Sequence, residues 1–196
     1  QSSITVEESM AGRYIEIYAM STNSVKTVRK NTFSSRFVTK SPTNDAAPTI
    51  SGTAVVNGTN KFTATAGRWS AVPSISNYGY TWILCTSSVP AATTTKPASC
   101  AATGVTATTS APTQLVLNRS MAGKFLVLEE TATQATNNID SNKVSKIYSA
   151  SSLEITSPPL FESDSTIAGF RHVDEELTAS IGTLTGYPAP NPSIQW

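Results

Sequence analysis

The chain has 196 residues, 39% of them hydrophobic and 14% charged, and its formal net charge is +1. This length and apolar content can bury a core, but so small a net charge gives no reason to expect nucleic acid or an acidic membrane surface as a partner. No stretch reaches the roughly 18 apolar residues of a membrane span, so no membrane insertion is expected in this segment. Ser and Thr make up more than a quarter of the residues, which predicts a neutral surface with high strand propensity.

The predicted elements are β-strands, because apolar and polar residues alternate and no stretch has a helical period. Residues 61–66 place apolar side chains at every second position, and residues 80–84 do the same. Turn signals at 57–58, 77–79 and 121–123 separate the strands. In chain order, strands are expected at 15–19, 50–56 with a break at Gly52, 61–66, 80–84, 114–117, 124–128 and 143–148.

Two blocks of sequence occur twice at nearly the same spacing. Residues 9–14 (SMAGRY) return as 120–125 (SMAGKF), and residues 62–67 (FTATAG) return as 177–182 (LTASIG). Repetition at domain-length spacing is typical of an array of similar domains. With about seven short strands and a Trp on the third, each repeat is expected to be an immunoglobulin-like β-sandwich, so the fold class is all-β.

The spacing predicts one complete repeat at 48–158. Residues 1–47 would be the C-terminal part of one copy, and residues 159–196 the N-terminal part of the next. Since residues 194–196 align with 80–82, the last residue falls within a predicted strand, and the sequence is expected to be an excerpt of a longer array. Prolines between 42 and 48 and at 158–159 are expected to form stiff joints.

The strand pattern also predicts which residues are buried. The core is expected to contain Phe62, Ala64, Trp82, Leu84, Leu126 and Leu128, with Ile15 and Ile17 in equivalent positions of the first copy. Two of the strands are apolar on both faces, whereas an isolated sandwich needs only one apolar face. The residues of this second face are Phe125, Val127, Tyr14 and Tyr18. They would form an assembly face if a neighbouring domain or chain covered them; a loop of the same domain is the alternative.

The two cysteines, Cys85 and Cys100, are expected to form a disulfide. The bond would close a loop of about 15 residues and stabilise the fold by roughly 3 kcal/mol. Because Cys85 falls on the opposite strand face from Trp82, the bond is expected at the surface, across a hairpin. A reduced pair is the alternative, and no metal site is expected because neither His nor further Cys accompanies them. A disulfide would place the chain in an oxidising, exported location.

Several motifs follow one another in the central copy: PTISG at 48–52, VNG at 56–58, GRW at 67–69, YTWILC at 80–85 and then Cys100. In this order they resemble the bacterial immunoglobulin-like repeats that are strung in tandem through large secreted or wall-associated proteins, especially of actinobacteria. The last copy departs from the pattern, since Leu184 stands where Trp69 does in the central copy. The resemblance implies an extracellular spacer or adhesive module with no catalytic residues and no cofactor.

Other chemistry-bearing residues give weak signals. His172 lies close to Asp174, but no nucleophile motif accompanies them, so no enzymatic activity is expected. The carboxylates at 174–176 would alternate faces on an extended chain, which favours a solvated cluster over a calcium site. The aromatic residues Trp69, Tyr78 and Tyr80 could stack on sugars, or they could belong to the core.

Three functions remain open. The favoured one is a structural and adhesive array of the bacterial surface, in which repeats contact head to tail, form a homopolymeric fibre, or bind surface glycans or neighbouring cells. The second is a carbohydrate-binding accessory region of a secreted enzyme. The third is an immunoglobulin-like segment of a phage tail fibre or decoration protein.

Overall fold

The computed structural model describes residues 3–100, 114–135 and 143–196, without the side chains of 32–36. These residues form an all-β structure, as predicted, with three short 3₁₀ turns at Glu8–Met10, Ala98–Cys100 and Arg119–Met121. None of the described helical turns is long and apolar enough to cross a membrane. The strands are β1 Tyr14–Thr22, β2 Thr27–Phe37, β3 Lys40–Ala46, β4 Thr49–Gly52, β5 Lys61–Thr65, β6 Arg68–Val72, β7 Ile75–Cys85, β8 Gln114–Val116, β9 Phe125–Gln134, β10 Val144–Tyr148, β11 Ser157–Phe161, β12 Thr166–Ala168, β13 Thr178–Ser180 and β14 Leu184–Tyr187.

The main core lies between two three-stranded sheets, which is consistent with a β-sandwich. One sheet has the order β10-β9-β7 and the other β4-β5-β8, while β3 pairs with β6 and also contacts β9 and β10. Alternate side chains of each strand point into this core, as the pattern of period two requires. The buried residues include Phe62, Ala64, Trp82, Leu84, Leu126 and Leu128, together with Val56, Tyr80, Leu117, Met121 and Ile155.

The first hairpin, β1–β2, has no such cover. Ile15 is half-buried, but Ile17 is 62% exposed, so the prediction that Ile17 belongs to a core is wrong. The physical reason is that β1 pairs only with β2, and no second sheet among the described residues packs on this face. Tyr14 and Tyr18 of the same strand are also exposed, and Tyr14 meets the ring of Phe37 edge to face.

The outer face of the β10-β9-β7 sheet is covered by residues 86–100. The backbones of Val89 and Ser151 are hydrogen-bonded, and those of Thr93 and Tyr148 bond in both directions. Beneath this segment Val127 is fully buried and Phe125 is half-buried. These two residues therefore do not form an assembly face, because a loop of the same domain covers them.

The Cys85–Cys100 disulfide is confirmed, but its expected surface position is wrong. Both cysteines are buried in a second, smaller cluster with Ile83, Val89, Val127 and Tyr148. The prediction assumed that only the Trp82 face of β7 is covered. Since residues 86–100 fold back over the opposite face, the bond joins that covering segment to the sheet beneath it.

The turn predicted at 77–79 is also wrong, because these residues lie within β7. Asn77 and Gly79 pair with Thr133 and Thr131 of β9 in one continuous antiparallel ladder. The bonds along this ladder outweigh the local turn preference of the Asn and Gly residues. The predicted break at Gly52 does coincide with the end of β4, and the backbone of Gly52 has a φ of 142°.

Strand pairing repeats along the chain in the same register. In the β4–β5 pair Ile50 lies opposite Ala64, and in the β12–β13 pair Ile167 lies opposite Ala179. The offset is 117 positions on the first strand (50 to 167) and 115 on the second (64 to 179). The two-residue difference lies in the loop between the paired strands.

The β3–β6 and β11–β14 pairs repeat with the same two offsets. Asn44 lies opposite Trp69, and Phe161 lies opposite Leu184. The predicted boundary at 48 therefore falls between β3 and its partner β6, and the pairing of the central part of the chain begins at Lys40. We refer below to residues 3–38 as the first segment, 40–155 as the central segment and 157–196 as the last segment.

Candidate functional site: the junctions between segments

The repeated hexapeptide forms the same turn in both places. Each copy begins with a 3₁₀ turn, closed by a bond from Ala11 N–H to Glu8 C=O at 3.0 Å and from Ala122 N–H to Arg119 C=O at 3.1 Å. The next residue is a glycine in the left-handed region, with φ of 83° at Gly12 and 74° at Gly123. A side chain is unfavourable in this conformation, which explains why both copies carry glycine here.

Each turn is hydrogen-bonded to the residue that precedes the next segment. Gly12 N–H donates to Val38 C=O at 2.9 Å, and Val38 N–H donates to Arg13 C=O at 2.9 Å. In the second junction Gly123 N–H donates to Ile155 C=O at 2.8 Å, and Ile155 N–H donates to Lys124 C=O at 2.9 Å. The two junctions thus share one backbone arrangement.

Almost no free chain separates the segments. Ile155 is fully buried in the main core, and Thr156 exchanges backbone bonds with Ala54 and Val56 at 2.8 Å each. β11 of the last segment then begins at the next residue, Ser157. In the first junction only Thr39 lies between Val38 and the start of β3. Linkers this short leave the segments little freedom to reorient.

The joints do not fall at the prolines, although the sequence predicts them there. Pro42 lies within β3 and the pair at 158–159 lies within β11, and in both strands the pairing register shifts at these prolines. A proline lacks an N–H to donate to a ladder, so strands accommodate it at edges and bulges. The prolines therefore lie in irregular strands, and the one-residue connections at Thr39 and Thr156 come just before those strands.

A third contact connects each glycine turn to the end of a strand in the following segment. A Cβ placed on Gly123 would lie 2.9 Å from Cε2 of Tyr187, at the end of β14. A Cβ on Gly12 would lie 3.6 Å from Cγ1 of Val72, at the end of β6. Val72 and Tyr187 are 115 positions apart (187 − 72), so both junctions use the same pair of structural positions.

Polar contacts differ between the two junctions. In the first, Lys40 forms an ion pair with Glu8, and this hydrogen bond raises the pKa of Lys40 and lowers that of Glu8. In the second, the Tyr187 hydroxyl donates to Glu154 Oε1 at 2.6 Å, which raises the pKa of Tyr187. These pairs are exposed to solvent and contribute little stability, so the backbone bonds and the close packing define the junction.

The two junctions lie at opposite ends of the central segment. Gly123 lies two residues before the first residue of β9, whereas the side chain of Gln134, the last residue of β9, donates to the C=O of Lys40 at 2.8 Å and of Pro73 at 3.2 Å. A ten-residue strand spans about 30 Å. The chain therefore enters the central segment at one end of β9 and leaves it near the other.

The structure does not assemble a sugar-binding or metal-binding site from the other candidate residues among those it describes. Tyr80 is buried in the core, where burial first and then the nearby carboxylate of Glu130 raise its pKa to about 12, so it offers no face to a sugar. Trp69 is half-buried beside an open cavity of about 440 Å³. His172 and the carboxylates at 174–176 are exposed, and no three metal-binding side chains converge among the described residues.

Sequence reasoning finds the glycine turns but misses the residues that receive them, Val38, Val72, Ile155 and Tyr187. The sequence does carry a signal for two of these residues. Val72-Pro73 and Tyr187-Pro188 are 115 residues apart, which is also the offset between the repeated blocks at 62–67 and 177–182. Comparison with models of known families, with curated proteins and with solved structures gave no match to this chain.

Proposed function

We propose that this chain is a non-enzymatic structural and adhesive repeat region of an extracellular bacterial surface protein, built from tandem immunoglobulin-like repeats in an extended array. The observation that carries the proposal is the recurrence of one junction, with one backbone arrangement, at both ends of the central segment. A reactive centre is not needed for this function.

The junction favours an extended array for two reasons. Because a single residue separates the segments and each glycine turn packs on a strand end of the next segment, neighbouring repeats cannot tumble freely. Because the two junctions use equivalent residues at opposite ends of the central segment, successive repeats would be joined in a similar way. Many such steps generate a regular rod, as in other repeat proteins whose neighbours contact only each other.

The extracellular location is supported by the disulfide, since such bonds persist in oxidising compartments. It is also supported by the resemblance of residues 48–100 to the tandem repeats of secreted and wall-associated proteins. The adhesive part of the proposal is supported by the aromatic side chains that remain exposed on the first segment, Tyr14 and Tyr18.

The test is a polypeptide of three directly joined copies of residues 40–156, the repeating length given by the offset of Val38 to Ile155. We expect negative-stain electron microscopy to show straight particles with a constant rise per repeat, and small-angle X-ray scattering to show the matching rod-like profile. Circular dichroism and an intact disulfide serve as controls for folding. Folded particles with a broad range of angles between repeats would contradict the proposal.

A further inference from the structure

One turn of the central segment gathers hydrogen-bond donors around a side-chain carbonyl. Asn57 is exposed, between the bridge at Val55 and the start of β5. Its Oδ1 accepts from the backbone N–H of Thr59 at 3.0 Å, from the Thr59 hydroxyl at 3.1 Å and from the backbone N–H of Asn60 at 2.6 Å. Such an Asx turn folds the asparagine side chain back towards the backbone that follows it.

The residue after Asn57 is a glycine, and this is the only Asn-Gly pair in the sequence. Gly58 has a φ of 81°, and a Cβ placed on it would meet no atom within 4 Å. Glycine has no side chain to restrict its backbone or to shield its own nitrogen. The backbone nitrogen of Gly58 and Cγ of Asn57 are the two atoms that would close a five-membered ring.

We propose that Asn57 is a modification site at which this turn promotes deamidation of its own asparagine. Hydroxide from the solvent removes the proton of the Gly58 N–H, and the nitrogen attacks Cγ of Asn57. The tetrahedral intermediate carries its negative charge on Oδ1 and collapses with loss of the side-chain nitrogen, which takes a proton from water and leaves as ammonia. Water then opens the succinimide at either carbonyl. The net reaction consumes one water, releases one ammonia and leaves aspartate or isoaspartate.

The donors of the turn lie where this charge develops. Preorganised N–H and O–H groups directed at a carbonyl oxygen stabilise the oxyanion that forms there, as in the oxyanion holes of acyl-transfer enzymes. At Asn57 two backbone N–H groups and one hydroxyl already bond to Oδ1 in the unreacted chain. The intermediate therefore needs no rearrangement of the turn to be stabilised.

Two other exposed asparagines serve as internal comparisons. Oδ1 of Asn23 accepts from two backbone N–H groups, and Oδ1 of Asn118 accepts from one backbone N–H and one hydroxyl. The residues that follow them are Ser24 and Arg119, whose side chains hinder the attacking nitrogen. Among these three turns, only that of Asn57 combines the donors with a following glycine.

The product would change the backbone beside the main core. Isoaspartate adds a CH₂ group to the main chain and a negative charge to the turn. The turn is bonded to its surroundings, since Asn60 Nδ2 donates to Val55 C=O at 2.9 Å and Leu117 N–H donates to Asn60 C=O at 3.1 Å. The preceding residue, Val56, is buried in the main core and donates to Thr156 C=O at 2.8 Å. Isoaspartate is therefore expected to weaken the anchoring of β5 and of the second junction.

Incubation of the folded protein at mildly alkaline pH, followed by peptide mass spectrometry, tests the site, because the replacement of –NH₂ by –OH raises the mass of the peptide. We expect Asn57 to react about tenfold or more faster than Asn23 and Asn118, because a side chain on the attacking residue restricts its backbone. Gly58→Ala should slow the reaction at Asn57 by a similar factor. An Asn57 that reacts no faster than the other two would overturn the proposal.

The Thr59 hydroxyl tests the role of the donors. Thr59→Val should slow the reaction about two- to tenfold, the worth of one hydrogen bond in water. Thr59→Ser keeps the hydroxyl and should react like wild type, and circular dichroism checks that each variant is folded. In concentrated urea, where the turn is absent, wild type and Thr59→Val should react at the same rate. Equal rates in the folded proteins would assign the reaction to an ordinary Asn-Gly pair and overturn the proposal.

The structural consequence has a matched control of its own. The isoaspartate form, separated from unreacted protein by ion exchange, should unfold at a lower urea concentration than freshly purified Asn57→Asp. This variant carries the same charge without the additional backbone atom. Equal midpoints for the two would contradict the expected weakening of the anchoring.

Discussion

Gly123 packs against the ring of Tyr187 so closely that a Cβ would come within 2.9 Å of a ring carbon. Gly123→Ala should therefore add a steric penalty of about 1–3 kcal/mol to the roughly 1 kcal/mol that a left-handed alanine costs. Gly58→Ala is the matched control, because Gly58 has a φ of 81° and no atom within 4 Å of an added Cβ. Denaturant unfolding measures both, and equal losses would show that the contact with Tyr187 is unimportant.

Trp82→Ala should lower the free energy of unfolding by about 3–5 kcal/mol, because it empties the largest buried site of the main core. Trp196→Ala is the control, since this side chain is 79% exposed and its truncation should cost less than about 0.5 kcal/mol. Urea denaturation monitored by far-ultraviolet circular dichroism compares the two. Similar losses for both variants would mean that Trp82 is not a core residue.

Replacing Cys85 and Cys100 together by Ala should destabilise the protein by about 3 kcal/mol, because the bond closes a loop of 15 residues. It should also release the segment that covers Val127, so amide hydrogen exchange should rise at Val89 and Thr93 before it rises in β5. Mass spectrometry after alkylation without reduction should find no reactive thiol in the native protein. Two alkylated cysteines in that experiment would contradict the structure.

Stability should fall as the pH rises from about 10 to about 12. Burial first, and then a neighbouring carboxylate, raises the pKa of Tyr80 and of Tyr148 to about 12, against about 10 in an unfolded chain. The stability that these two groups contribute is fully present below pH 10 and is lost as the pH passes through the folded value, by about 2 kcal/mol for each tyrosine. Replacing both by Phe should flatten this decline in unfolding experiments. An unchanged decline would assign it to other groups.

Local pattern is sufficient to predict the strands that form the main core. β5 and residues 80–84 of β7 alternate apolar and polar residues, whereas the start of β9 is apolar on both faces. Strands are expected near β5, β7, β9 and β10, but β7 and β9 extend well beyond the predicted residues. β3 is missed because Lys40–Ala46 contains Pro, Asn and Asp and has no alternation. It is a strand because β6 pairs with it across a long stretch of sequence, with Asn44 opposite Trp69, and such long-range pairing leaves no local signal.

The sequence predicts only one side of each junction, the glycine turn. The glycine turn is encoded by adjacent residues and therefore repeats visibly as sequence. Its partners Val72 and Tyr187 share only their structural position, and the contact tolerates different side chains. The burial of the disulfide cannot be predicted from the strand face on which Cys85 lies. That face is covered by residues 86–100, and this segment has no strand pattern in its sequence.

The one-residue linkers also decide how such an array would respond to pulling. A load applied to the neighbours of the central segment would enter at Lys40 and leave at Thr156. Lys40 lies within a paired strand and Thr156 forms a bridge with Val55. Because no flexible linker would extend first, tension would act directly on the backbone hydrogen bonds of these pairs. If the central segment did give way, the Cys85–Cys100 bond would keep residues 86–99 out of the stretched chain. That loop would shorten the released length by on the order of 50 Å, so each repeat would extend less and refold from a more compact state.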